Sequence, residues 1–166
     1  RYWSLEELLA KPHASDWPPF LVLLDGIQDP HNLGSILRSA EAMGVDGVII
    51  PQRRAVGVTG TVMKSSAGAA NYVPVCRVTN LPSTMDVLKK AGFWLVGADM
   101  SGSTCYTQDL TGAIALVIGG EGSGLSRLVQ EKCDFLSSIP MRGQINSLNA
   151  SVAAALLMFE VTRQRS

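Results

Sequence analysis

Short apolar runs alternate along this chain with segments of helical spacing, and that alternation limits the fold more than any other feature. A strand exposed on one face alternates apolar and polar residues. FLVLLD (20–25) and IALVIGG (114–120) do not. Continuous apolar runs are what strands covered on both faces require, and such strands belong to parallel sheets. GVIIP (47–51), VPVCRV (73–78), FWLVGA (93–98) and FLSSIP (135–140) complete a set of six predicted strands. Between them the spacing predicts helices at Asn32–Met43, Thr59–Ser66, Pro82–Ala91, Leu125–Lys132 and Ser147–Arg165. In the first of these, Leu33, Ile36, Leu37 and Ala40 fall at i, i+3, i+4 and i+7, a core-facing stripe that Gly44 ends. The fold class is α/β, a mostly parallel sheet flanked by helices.

The length of 166 residues fits one domain, taken as 20–166. Residues 1–19 hold a short amphipathic segment followed by Pro and Asp, and read as a linker with one helical turn or two. Lys+Arg and Asp+Glu both number 14, so the formal net charge is +0 and bulk attraction to a polyanion is excluded. A chain of this balance that handles nucleic acid must concentrate its positive charge locally or borrow it from another domain. Cys76, Cys105 and Cys133 have neither metal-ligand nor CxxC spacing, which fits reduced thiols in a cytoplasmic protein. The longest apolar run, Val152–Phe159, is far shorter than the roughly 20 residues that span a bilayer, and no secretory signal is visible. No membrane association and no metal are expected, and no Ser–His–Asp assignment is forced. His13 carries no signal, and His31 is expected to be a structural turn residue.

Three polar, glycine-rich stretches follow apolar runs, at the sheet edge where α/β proteins bind ligands. In DPHNLGSILRSAEAMG (29–44), Asn32 lies at or near an N-cap, and Gly34 and Arg38 share a helical face with room for a ligand. Arg38 could equally pair with Glu41 on a solvated surface. IGGEGSGL (118–125) places Glu121 among four glycines, with Ser123 positioned to cap the next helix. It is neither G-x-G-x-x-G after the first strand nor a P-loop. In IPMRGQINSLNAS (139–151), Ile139, Met141 and Leu148 suit an adenine ring, while Ser147 and Asn149 bring polar groups to a helix mouth. Leu148 has a second reading as plain core, in a stripe with Val152, Ala155, Leu156 and Phe159. The run Ala153–Ala155 permits close approach of another helix, such as a subunit's.

The three stretches together resemble the motifs of the SpoU (TrmH-like) family of RNA ribose 2′-O-methyltransferases, over about Phe20 to Arg165. They are most similar to the catalytic domain of bacterial 23S ribosomal RNA guanosine 2′-O-methyltransferases. The resemblance implies a C-terminal trefoil knot, which the strand and helix pattern alone would not suggest. It also implies S-adenosyl-L-methionine as cofactor, an RNA substrate and a homodimer. By the same resemblance Arg38 is the catalytic arginine, as proton acceptor or as a charge that stabilises the alkoxide. Asn32, Glu121, Ser147 and Asn149 complete the catalytic polar group, and Gly119, Ile139, Leu148, Met141 and Ala98 contact the cofactor. Relatives of this type carry a small RNA-binding domain before the catalytic one, so a start at Arg1 fits a fragment lacking it. Arg53, Arg54, Lys64 and Arg142 are local basic residues that either guide an RNA backbone or are merely solvated. A tRNA-directed enzyme, a non-catalytic RNA-binding module and a nucleotide-binding enzyme acting on a small molecule are the other readings. The last of these lacks its usual fingerprint.

Overall fold

Each of the six predicted strands forms, and every pairing between them is parallel. In the computed structural model, which describes residues 1–12, 15–53 and 55–166, these are β1 (Phe20–Asp25), β2 (Gly47–Pro51), β3 (Val75–Val78), β4 (Trp94–Thr104), β5 (Ile114–Gly119) and β6 (Phe135–Ser138). His13 and Arg54 lie outside the described residues. The helices are α1 (Leu5–Ala10), α2 (Pro30–Ala42), α3 (Gly60–Ser65), α4 (Leu81–Lys90), α5 (Arg127–Lys132) and α6 (Ala150–Gln164). The sheet order is β3-β2-β1-β5-β4-β6.

The period-2 alternation of a strand explains why β1 is apolar throughout. Phe20, Val22 and Leu24 face one core with Leu33, Ile36 and Leu37 of α2 and Leu157, Met158 and Val161 of α6. Leu21 and Leu23 face the other core with Leu8 of α1, Met85 and Leu88 of α4 and Val129 of α5. The helical stripe expected in α2 is buried in full. The segment 1–19, expected as a linker, carries a helix docked on the domain. Ser4 and Glu7 close a capping box around α1. Trp3 bridges to Cys76 in β3, and Leu8 is buried in the second core. Burial pushes the Cys76 and Cys133 thiols up, each to about 11, so both stay protonated at neutral pH.

Three expected features are corrected. The last helix opens at Ala150 rather than Ser147, because Asn149 takes the N-cap and residues 143–149 form a loop. Gly34 does not leave room for a ligand. It is buried where α2 crosses α3, and a Cβ there would overlap the Ser65 hydroxyl. The stripe Leu148, Val152, Leu156, Phe159 is not core: these residues are 37%, 45%, 44% and 59% exposed. The helix is instead buried through Ala150, Ala154, Leu157, Met158 and Val161, a face rotated away from that stripe.

Candidate active site

Strands β1 and β5 are neighbours, but the chain leaves them in opposite directions across the sheet. Loops leaving their carboxyl ends therefore diverge, which opens a crevice at a topological switch point. A cleft of about 650 Å³ occupies this edge, bounded by the ends of β4, β5 and β6 and the start of α6.

The loop after β5 is built by close packing. A Cβ on Gly119 would overlap the Gly124 carbonyl, and one on Gly120 would come within 2.6 Å of the Gly26 carbonyl oxygen. Gly124 donates back to Gly120 at 2.9 Å, while Gly120 donates to the Asp25 carbonyl at 3.0 Å. Close packing against the protein therefore requires glycine at both positions. Ser123 is not the cap of α5. Ser126 takes that position, and the Asp25 carboxylate accepts its N–H at 2.7 Å.

This loop holds Glu121 against residues of the other two motifs. Asn32 Nδ2 donates to Glu121 Oε1 at 2.9 Å. Asn149 Nδ2 donates to the same Glu121 oxygen and, at 3.2 Å, to Asn32 Oδ1. Each member has a local reason for its place. Asp29, rather than Asn32, caps α2, so the Asn32 amide is free to reach across. Asn149 Oδ1 accepts from Ser151 N and Val152 N to cap α6, which aims its Nδ2 at the carboxylate. The triangle joins residues 89 and 117 positions apart in the chain.

Of the expected cofactor contacts, Ala98, Gly119, Ile139 and Leu148 line the cleft, as do Glu121, Ser147 and Asn149. Met141 does not; it lies in the loop three residues past the end of β6. Arg38 does not line it either. It is exposed on α2, six residues past Asn32, or about 9 Å of helix rise. No ion pair with Glu41 forms, and among the described residues Arg38 has no hydrogen-bond partner. Sequence spacing missed Asp99, Met100, Ser137 and Ser138, which also line the cleft. The signal for the first two was the extension of β4 through a serine- and glycine-rich stretch to Thr104. Among the described residues, Asp99 and Glu121 are the only charged ones in the lining, and both are acids. Among the described residues, no group of three or more His, Cys, Asp or Glu could hold a metal. Among the same residues no helix is long and apolar enough to cross a membrane.

Residues 19–159 match the model of the SpoU rRNA Methylase family. The chain belongs to that family. One SpoU relative, a Staphylococcus saprophyticus protein named for the TrmH family of tRNA/rRNA methyltransferases, is 54% identical over 166 residues. The match takes in 99% of this chain and 67% of the relative, so the chain spans about two thirds of that length. Among solved structures, the SpoU methyltransferase AviRb from Streptomyces viridochromogenes, in complex with the cofactor AdoMet, superposes with a TM-score of 0.87 at 34% identity. That alignment covers 99% of this chain and 66% of AviRb. An RNA 2′-O ribose methyltransferase superposes with a TM-score of 0.80 at 29% identity, covering 94% of this SpoU chain and 60% of its own.

Proposed function

We propose that this chain transfers a methyl group from S-adenosylmethionine to a ribose 2′-hydroxyl in RNA, with a guanosine of 23S ribosomal RNA as the first candidate target. The observation that carries this reading is the Asn32–Glu121–Asn149 triangle, which joins one residue from each of three distant motifs, with Glu121 and Asn149 in the lining of the cleft. The neighbours' AdoMet complex and 2′-O ribose chemistry support it. The cleft also fits the cofactor. Its volume falls within the roughly 300–1,000 Å³ of small-molecule sites. Ile139 and Leu148 supply apolar surface for an adenine, and the acidic lining suits a ligand bearing a sulfonium and an ammonium.

S-adenosylmethionine, when bound, supplies an already activated methyl group, so the chain's own task is to place and prepare the 2′-oxygen. Asn32 and Asn149 fix the Glu121 carboxylate at the cleft. Ser147, at the same mouth, adds a hydroxyl for the ribose. Arg38 brings a guanidinium cation with a planar fork of donors. Without a partner of its own, its charge is available to an RNA phosphate and to the oxygen as its proton leaves.

Residues 20–166 form the proposed catalytic unit, including the family's C-terminal knot. Catalysis is assigned to this unit, and selection of the RNA to a separate RNA-binding domain, with both acting in the cytoplasm. The zero net charge supports that division, and the exposed Arg53, Lys64 and Arg142 supply only local attraction. The same reading makes the protein a homodimer, with the exposed Val152–Leu156–Phe159 stripe of α6 in the interface. Sedimentation at micromolar concentration should give a dimer, and Phe159→Asp should shift it to monomer. A wild-type monomer would refute this assignment.

Transfer of a radiolabelled methyl group to ribosomal and transfer RNA, followed by alkaline hydrolysis, tests the chemistry. A methylated 2′-oxygen cannot attack the adjacent phosphate, so the label should survive in dinucleotides. Label recovered in mononucleotides would place the methyl group on a base and overturn the proposal.

A further inference from the structure

The end of β4 carries a constructed irregularity. Ser137 of β6 pairs with both Ala98 and Ser103, so residues 99–102 bulge out between two paired positions. Bulges beside active sites re-aim side chains. Three contacts hold this one in shape. The Ser101 N–H and hydroxyl both donate to Asp99 Oδ1, at 2.8 and 2.6 Å. Ser138 Oγ donates to the Gly102 carbonyl at 2.9 Å. Gly102 itself sits so close to the Leu136 carbonyl that a Cβ would overlap it. The bulge presents Asp99 to the cleft with one carboxylate oxygen occupied. Among the described residues the other, Oδ2, has no partner.

The position of Asp99 across the sheet edge decides what that oxygen meets. The order here is β5, β4, β6. Glu121 follows β5, Asp99 lies two residues past Gly97, the last β4 residue paired with β5, and directly after Ala98, where pairing with β6 breaks at the bulge, and Ile139 follows β6. Neighbouring strands lie about 4.8 Å apart. A nucleoside laid across these ends with its base on Ile139 and its reacting substituent toward Glu121 must carry its sugar over β4. A carboxylate oxygen is a charged acceptor suited to a sugar hydroxyl. We infer that Asp99 accepts a hydrogen bond from the ribose diol of the bound S-adenosyl nucleoside, held in place by the Ser101 contacts of the β4 bulge. This assignment rests on the proposed cofactor reading and adds to it a residue outside the three motifs.

The test pairs a ligand change with a residue change. Calorimetry would measure S-adenosylhomocysteine and its 2′-deoxy and 3′-deoxy ribose analogues against the wild-type chain and Asp99→Asn and Asp99→Ala. A hydrogen bond to a charged group is worth enough that its loss should weaken wild-type binding of at least one deoxy analogue about tenfold or more. Both variants should weaken binding of the parent nucleoside by a similar factor, yet bind that deoxy analogue and the parent about equally. Thermal melting confirms that the variants are folded. If they are not, the deoxy penalty in the wild-type chain decides, and its absence overturns the assignment. Losses that simply add, or variants with unchanged affinity, would overturn it while leaving the cofactor reading intact. Failure of the wild-type chain to bind the parent nucleoside would remove the cofactor reading and Asp99 with it.

Discussion

Arg38→Ala is expected to lower methyl transfer by about 10²–10³-fold, the usual cost of removing one stabiliser of a developing oxyanion. Cofactor affinity should stay nearly unchanged, because Arg38 lies outside the lining of the cleft. Protein stability should also hold, since the side chain is exposed and makes no ion pair to lose. Single-turnover transfer measured alongside cofactor titration separates the two effects. Arg38→Lys keeps the charge but loses the planar fork, so partial recovery would identify charge as the larger contribution. Turnover near wild type in Arg38→Ala would remove Arg38 from the mechanism.

Gly119→Ala should act in the opposite way, through structure first. The added methyl group would overlap the Gly124 carbonyl and lie 2.5 Å from Leu125 N, so backbone must move. Overpacking of this kind costs about 1–3 kcal/mol. For a chain of this size that is a drop in melting temperature of roughly 2–12 °C. The loop displaced is the one that carries Glu121, so the triangle with Asn32 and Asn149 should loosen as well. Cofactor affinity is then expected to fall tenfold or more, by calorimetry, even at temperatures where the variant is folded. An unchanged melting temperature with unchanged affinity would mean the loop does not close on β5 as described.

The parts of this molecule that were readable in sequence are those set by local chemistry. Apolar runs marked the interior strands β1, β2 and β5, where burial on both faces leaves little place for a polar residue, while the edge strands β3 and β6 carry Arg77, Ser137 and Ser138 and were read from their place in the alternation. Helix ends were less accurate because capping depends on one side chain's choice of partner. Asp29 rather than Asn32 caps α2, and Asn149 caps α6, which begins three residues beyond the expected Ser147. The stripe on α6 was misread for a different reason. Helical spacing shows that apolar residues share a face, but it cannot say which of two apolar faces meets the core, and α6 has both. The site motifs were found through resemblance, and the structure adds their geometry. Arg38 stands apart from the cleft, which its place in the same motif as Asn32 does not reveal. Asp99 and the β4 bulge carried no periodic signal, because an irregular pairing is fixed only by the partner strand.

Helix α6 serves several parts of the molecule at once. Its first turns line the cleft through Ala150, Ala153 and Leu157, and Leu157, Met158 and Val161 fill one of the two cores. In its last turn Gln164 accepts the Leu110 N–H at 2.8 Å and donates to the Gln108 carbonyl at 3.0 Å. Displacing this helix therefore exposes a core and releases a distant loop in the same event. Slow amide exchange in the helix should accordingly proceed through global opening and share one free energy with the central strands. A nucleoside held in the cleft would then protect amides far from itself. At a free concentration 100 times its dissociation constant it would add about 2.7 kcal/mol to the opening cost across that whole cooperative unit.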